Sequence, residues 1–182
     1  MKVKATSIEG CYEVYPTIFE DNRGCFFESF NKAKFKQLTG VAVDFVQDNE
    51  SHSSNGVFRG LHFQRGEFQQ AKLVRVISGE ILDVIVDLRK GSVTYGKHIK
   101  VVLSAKNKMQ LFIPRGCDHG FLVKEYNTIF SYKCDNYYNK EAEGGIYFND
   151  ETLSIDWGVD EQCLILSPKD RELPMFKDVL PL

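Results

Sequence analysis

The sequence has 182 residues, 43% hydrophobic and 13% aromatic, which is enough for one domain, residues 1–182, with a sizeable core. A formal net charge of −2 gives no overall basic field, which argues against a nucleic-acid binder and leaves only local anion sites. The opening MKVKATSIEGCYEV lacks the apolar centre of a secretory signal, and no apolar run is long enough to span a membrane. A cytoplasmic protein that contacts no membrane is the expectation.

The first predicted element is a helix. In Phe30-Asn31-Lys32-Ala33-Lys34-Phe35, Asn31 suits the N-cap while Phe30 and Phe35 suit a staple across the first turn, and Gly40 offers a left-handed stop. Asn55-Gly56 is a turn signal. Lys72 to Asp87 reads as two β-branched strands broken at Ser78-Gly79-Glu80, and Lys90-Gly91-Ser92 marks the next turn. Ile99 to Leu103 and Met109 to Ile113 form another pair of strands around Ala105-Lys106-Asn107-Lys108. Phe121 to Val123 and Thr128 to Tyr132 flank a polar bend at Lys124-Glu125-Tyr126-Asn127. Short strands at this spacing, with little helix between them, predict an all-β double-sheet jelly roll. Periodicity alone does not separate that from an immunoglobulin-like sandwich.

Five scattered cysteines (Cys11, Cys25, Cys117, Cys134 and Cys163) include no CxxC pair, so reduced and mostly buried thiols are expected. The four histidines, His52, His62, His98 and His119, form no HxH, and no metal site is expected.

Gly56 to Gln64, GVFRGLHFQ, is unusual because an Arg, a His and a Gln interrupt an apolar strand. Strict alternation puts Arg59 and Leu61 on one face and Gly60, His62 and Gln64 on the other. A bulge at Gly60 would bring Arg59 and His62 together. Alone, such a histidine is more often a satisfied core residue than a base.

Other polar clusters add to it. Arg23, Phe26 and Glu28 offer a cation, a ring and an acceptor, and Gln47-Asp48-Asn49 puts two amides on one face. His119 stands between glycines in Gly116 to Phe121, where backbone can approach a ligand. Tyr132, Tyr137 and Tyr138 cluster around Lys133 to Asn136, and Ser167-Pro168-Lys169-Asp170 follows an apolar run. Together they supply cations for phosphates, rings for a base and titratable groups for proton transfer.

With these residues collected, the sequence resembles the dTDP-4-dehydrorhamnose 3,5-epimerase family of cupin-fold enzymes. The resemblance rests on RGCFFESF (23–30), QDNESHS (47–53), GVFRGLHFQ (56–64), the long block from Gln70 to Gly96, IPRGCDHGFLV (113–123), YKCDNYYNKEAEGGI (132–146) and LSPKD (166–170). It implies a cupin-type jelly roll, a double-stranded β-helix with a few short peripheral helices. It further implies His62 as base, Asp170 as the carboxylate that orients it, and Tyr132 as acid on the opposite face of the sugar. Lys72 and Arg59 are implied around the 4-keto oxygen and diphosphate, with His119 nearby. Arg23, Phe26, Glu28, Gln47, Asp48 and Asn49 correspond to nucleotide contacts, some lent by the partner subunit of a homodimer. Tyr138 corresponds to the ring stacked on the base, and Glu143 and Lys169 to further substrate contacts.

The sequence departs from the family pattern at three places. His52 replaces a common Arg, Arg65-Gly66-Glu67-Phe68 replaces a Pro-containing link, and Cys117-Asp118 replaces a more apolar pair.

The implied substrate is a dTDP-linked 4-keto-6-deoxy sugar, and its chemistry suits these residue types. A 4-keto group acidifies the protons at C3 and C5, so a histidine base can leave an enolate and reprotonation from the other face inverts the centre. A carboxylate beside the imidazole fixes its tautomer, and an ammonium stabilises the enolate oxygen. Neither metal, flavin nor nicotinamide is required, and no GxGxxG-type loop is present. The alternatives are a C3-only or C5-only epimerase, a 3,4-ketoisomerase, a metal-dependent cupin oxygenase, and a non-catalytic sugar-nucleotide-binding jelly roll.

Overall fold

A computed structural model describes residues 1–182. Strands β1 (Lys2–Ala5), β2 (Tyr12–Tyr15), β3 (Ile18–Asp21) and β4 (Gly24–Phe27) precede helix α1 (Lys32–Thr39). The central run follows: β5 (Gln47–Ser53), β6 (Phe58–Gln64), β7 (Lys72–Ser78), β8 (Glu80–Asp87) and β9 (His98–Ser104). It continues through β10 (Gln110–Ile113), β11 (Cys117–Val123), β12 (Thr128–Cys134) and β13 (Glu143–Gly145), and a short helix α2 (Pro168–Arg171) lies near the C-terminus.

These strands make a six-stranded sheet, β1-β2-β10-β7-β12-β5, facing a five-stranded one, β13-β6-β11-β8-β9; β3 and β4 form a separate ribbon. The chain alternates between sheets at almost every turn, which is the winding of a jelly roll. The expected pairing of the strands around Ala105 to Lys108 is therefore wrong. β9 pairs with β8 in one sheet, while β10 pairs with β2 and β7 in the other. The physical reason is that the turn carries the chain from one sheet across to the other. Val101 and Leu103 from one sheet and Leu111 and Ile113 from the other meet in the same apolar cluster, so the two strands bury their apolar faces against each other across the core.

Three cores hold the fold. One fills the space between the sheets (Val74, Val76, Ile81, Ile85, Leu111, Phe121 and Phe130 among others). A second lies where the strandless segment after β13 covers the five-stranded sheet. Trp157 packs edge-on to Phe58 there at 4.7 Å and donates its indole N–H to the Phe148 carbonyl. The third lies under α1, around Phe35 and Phe112. The α1 caps follow the sequence: Asn31 Oδ1 accepts the Lys34 N–H at 3.0 Å, Phe30 and Phe35 rings sit 5.9 Å apart, and Gly40 stops the helix at φ +76°. All five cysteines are free. Cys11, Cys117 and Cys134 are buried, but Cys25 and Cys163 are exposed.

Candidate active site

A cavity of about 800 Å³ opens between the sheets, lined by β5, β7 and β12 on one side and β6 and β11 on the other. Its histidines come from a slip in the ladder. His62 of β6 lies opposite His119 of β11, but the next pair in register is Arg59 with Phe121, so β6 spends one more residue than β11. That slip overturns strict alternation. Arg59 and His62 both line the cavity, while Leu61 turns into the outer core. Gly60 makes it possible, since a Cβ there would lie 2.5 Å from the Gly120 Cα and its φ is +124°.

Two histidine–aspartate pairs result. His62 Nε2 lies 2.7 Å from Asp170 Oδ1, its side chain 28% exposed and the carboxylate 4% exposed. Asp170 sits on α2, whose first turn is capped by the Ser167 hydroxyl accepting the Asp170 N–H at 3.1 Å. Burial pushes the Asp170 carboxyl up, but the hydrogen bond and charge of His62, the Ser167 contact and Lys169 outweigh it. The net pKa falls below the usual carboxylate value. An ionised Asp170 accepts only, so Nε2–H of His62 is the donor in this pair, and Nδ1 is the ring nitrogen left for proton transfer. The second pair, His119 Nε2 to Asp83 Oδ1, also closes at 2.7 Å and is almost wholly buried. Burial lowers the His119 pKa against the opposing pull of Asp83.

Lys72 and Tyr132 face the cavity from adjacent strands of the other sheet. Burial draws the Lys72 ammonium down from its ordinary pKa, and the neighbouring Cys134, Asp118, Asp83 and Glu143 pull the other way. Burial pushes the Tyr132 phenol up, and its ring packs 5.5 Å from Phe130.

At the mouth, Tyr138 donates its hydroxyl to Glu143 Oε2 at 2.9 Å and its N–H to Gln47 Oε1 at 3.1 Å, and Lys169 pairs with Glu143. Asn49 completes the amide pair, and Arg59 reaches Ser53 Oγ at 3.4 Å.

Four predicted site residues lie elsewhere. Asp48 falls on the opposite face of β5 from Gln47 and Asn49, because side chains alternate along a strand, and it pairs with Lys133 at 2.9 Å. Arg23 and Phe26 belong to the β3–β4 ribbon, where Arg23 pairs with Asp21 and Phe26 is 71% exposed. Glu28 accepts from Lys34 and Asn31 at the start of α1. Within one chain none of these four lines the cavity. Sequence reasoning missed Asp83, whose signal was an acid inside the apolar run EILDVIVD. It noted Gln64 beside His62 but gave it no role; Gln64 lines the cavity and accepts the Asn139 N–H at 3.0 Å, holding the segment that carries Tyr138.

The fold and cavity define the class: an enzyme on a cupin-type jelly roll. Residues 5–178 match the family model described as dTDP-4-dehydrorhamnose 3,5-epimerase. The Escherichia coli dTDP-4-dehydrorhamnose 3,5-epimerase is 50% identical over 100% of this chain and 98% of its own length. The crystal structure of the same-named protein from Elizabethkingia anophelis is 54% identical, with a TM-score of 0.94 over 98% of this chain and 97% of that one. A Legionella pneumophila dTDP-6-deoxy-D-glucose-3,5-epimerase, solved with dTDP-4-keto-L-rhamnose, is 43% identical with a TM-score of 0.94, covering 99% of this chain and 97% of that one. The chain belongs to the dTDP-4-dehydrorhamnose 3,5-epimerase family and is an isomerase. No helix is long and apolar enough to cross a membrane.

Proposed function

We propose that the chain, acting as one catalytic domain, inverts C3 and C5 of dTDP-4-dehydro-6-deoxy-glucose to give dTDP-4-dehydro-rhamnose, by proton transfer through an enolate. The observation that carries this reading is the His62–Asp170 pair, closed at 2.7 Å with the imidazole open to a cavity that also holds Lys72 and Tyr132. His62 Nδ1 takes the proton from the carbon beside the ketone. Asp170 holds the ring in the tautomer that frees Nδ1 and stabilises the imidazolium. The Lys72 ammonium meets the charge that develops on the 4-oxygen, in a site where burial strengthens it. Tyr132, on the facing sheet, returns a proton from the other side of the sugar, so each cycle changes configuration.

The nucleotide end of the substrate then lies at the mouth, with Tyr138 against the base and Gln47, Asn49, Arg59, Glu143 and Lys169 around it. Arg23, Phe26 and Glu28 serve the cavity of a second copy in a homodimer. The exposed rings of Phe19 and Phe26 on the β3–β4 ribbon support that part of the reading.

Incubation with dTDP-4-keto-6-deoxyglucose in deuterium oxide tests the proposal, with NMR reading of label and configuration. Label and inversion at both centres are expected. Label at one centre assigns a mono-epimerase, and absence of label with retained binding assigns a binding module.

A further inference from the structure

We propose that Asp118 is a positioning residue for this reaction: from the outer core, its carboxyl fixes the His119 backbone where β11 slips against β6, and so sets the His119 ring opposite His62. The inference rests on the functional reading above.

Asp118 is in an expensive place. His119 lines the cavity, so its neighbour in the strand points away from it, and Asp118 stands in register with Val86, a member of the outer apolar core. The carboxyl is fully buried there. Its Oδ1 accepts the His119 N–H at 2.9 Å, and its Oδ2 has no partner. Burial raises its pKa well above the usual carboxylate value, against the pull of the His119 N–H and the charges of Lys72 and Arg65. Arg65 itself lies 4.7 Å over the ring of Phe63, in the same outer core. An apolar side chain would fill this space without leaving a buried oxygen unpartnered, so the single hydrogen bond that Asp118 makes is what its polarity contributes.

That bond falls where the sheet needs a restraint. Both strands are glycine at the slip, Gly60 on β6 and Gly120 on β11, and their backbones approach so closely that no Cβ fits at Gly60. β11 stays paired with β8 through the slip, Gly120 opposite Val84, and neither glycine brings a side chain to the join, so any side-chain restraint there comes from adjacent residues. A carboxyl of residue 118 on the N–H of residue 119 holds β11 one residue before the slip. The imidazole of His119 is then fixed at both ends, by Asp118 through its backbone and by Asp83 through Nε2.

Two variants separate the acceptor from the bulk. Asp118→Asn keeps an oxygen for the His119 N–H, whereas Asp118→Leu keeps the γ-branched shape at a larger volume and removes the acceptor. The Asn variant is expected to retain turnover within about twofold, and the Leu variant to lose about tenfold in kcat at little changed KM. In the ligand-free protein the His119 ring resonance should move in the Leu variant and stay in the Asn variant, with His98 as the internal reference. Wild-type turnover and an unmoved His119 resonance in the Leu variant overturn the proposal, and so does an Asn variant as impaired as the Leu one. If the wild type incorporates no deuterium, the functional reading falls, while the resonance comparison still decides what Asp118 holds.

Discussion

His62–Asp170 and His119–Asp83 close at the same 2.7 Å, yet they are built from different parts of the chain. Asp83 stands on β8, directly beside the strand of its histidine, and is fully buried, while the His119 ring at the cavity wall is only 6% exposed. Asp170 comes from a four-residue helix 108 positions away, and its histidine faces the cavity. One pair is an internal strut between neighbouring strands. The other is an imidazole that a substrate can reach, braced from behind by a segment that wraps the sheet. The same bond therefore serves two ends, and exposure of the ring decides which.

The largest effect should come from breaking the open pair. His62→Ala is expected to lower deuterium incorporation at C3 and C5 by about 10³-fold or more, with an unchanged circular dichroism spectrum. Near-normal exchange in that variant removes His62 from its role and makes the two pairs equivalent. Tyr132→Phe comes next. It should cost about 10²-fold in epimerisation at a KM within about twofold of wild type, since the ring still packs on Phe130 and only the proton donor is lost. A rise in KM alone would move Tyr132 from chemistry to binding.

Breaking the buried pair should read out differently. Asp83→Ala leaves the His119 ring without its acceptor in the core, at a cost of about 1–3 kcal/mol. Urea unfolding should show that loss, together with a lower midpoint than Asp170→Asn gives. A stable Asp83→Ala protein would contradict the strut.

Much of this comparison was legible before the fold was built. The β-branched runs of β7 and β8, the break at Gly79 and the caps of α1 are local chemistry, and local chemistry survives folding. Partner choice is not local. Alternation tells which face of β9 or β10 is apolar, but a strand that crosses between sheets and one that pairs with its predecessor carry the same pattern. The segment after β13 has no period to read, although Leu153, Ile155 and Trp157 are buried in the core.

In the site, His62, Tyr132 and Asp170 stood out as residue types, and the family resemblance joined them and added Lys72. No spacing rule connects positions 62 and 170. Asp48, grouped with the nucleotide contacts, faces away from the cavity because side chains alternate along β5, and Asp83 was passed over because it hid among apolar neighbours.

The smallest effect concerns acid stability, and it sharpens what Asp170 does. Its folded-state pKa is depressed, so its ionisation favours the native state above the unfolded carboxylate pKa of about 3.9. That contribution is lost as pH falls through the folded value. Asp170→Asn removes the titrating group, so wild type should be the more stable at pH 7 and its advantage should shrink as pH falls below about 4. Urea midpoints measured for both proteins from pH 7 to pH 3 check this. A constant difference across that range would mean that Asp170 acts through packing and geometry alone. Convergence of the two curves ties the orientation of His62 to an ionised partner, which the free Nδ1 of the proposed base requires.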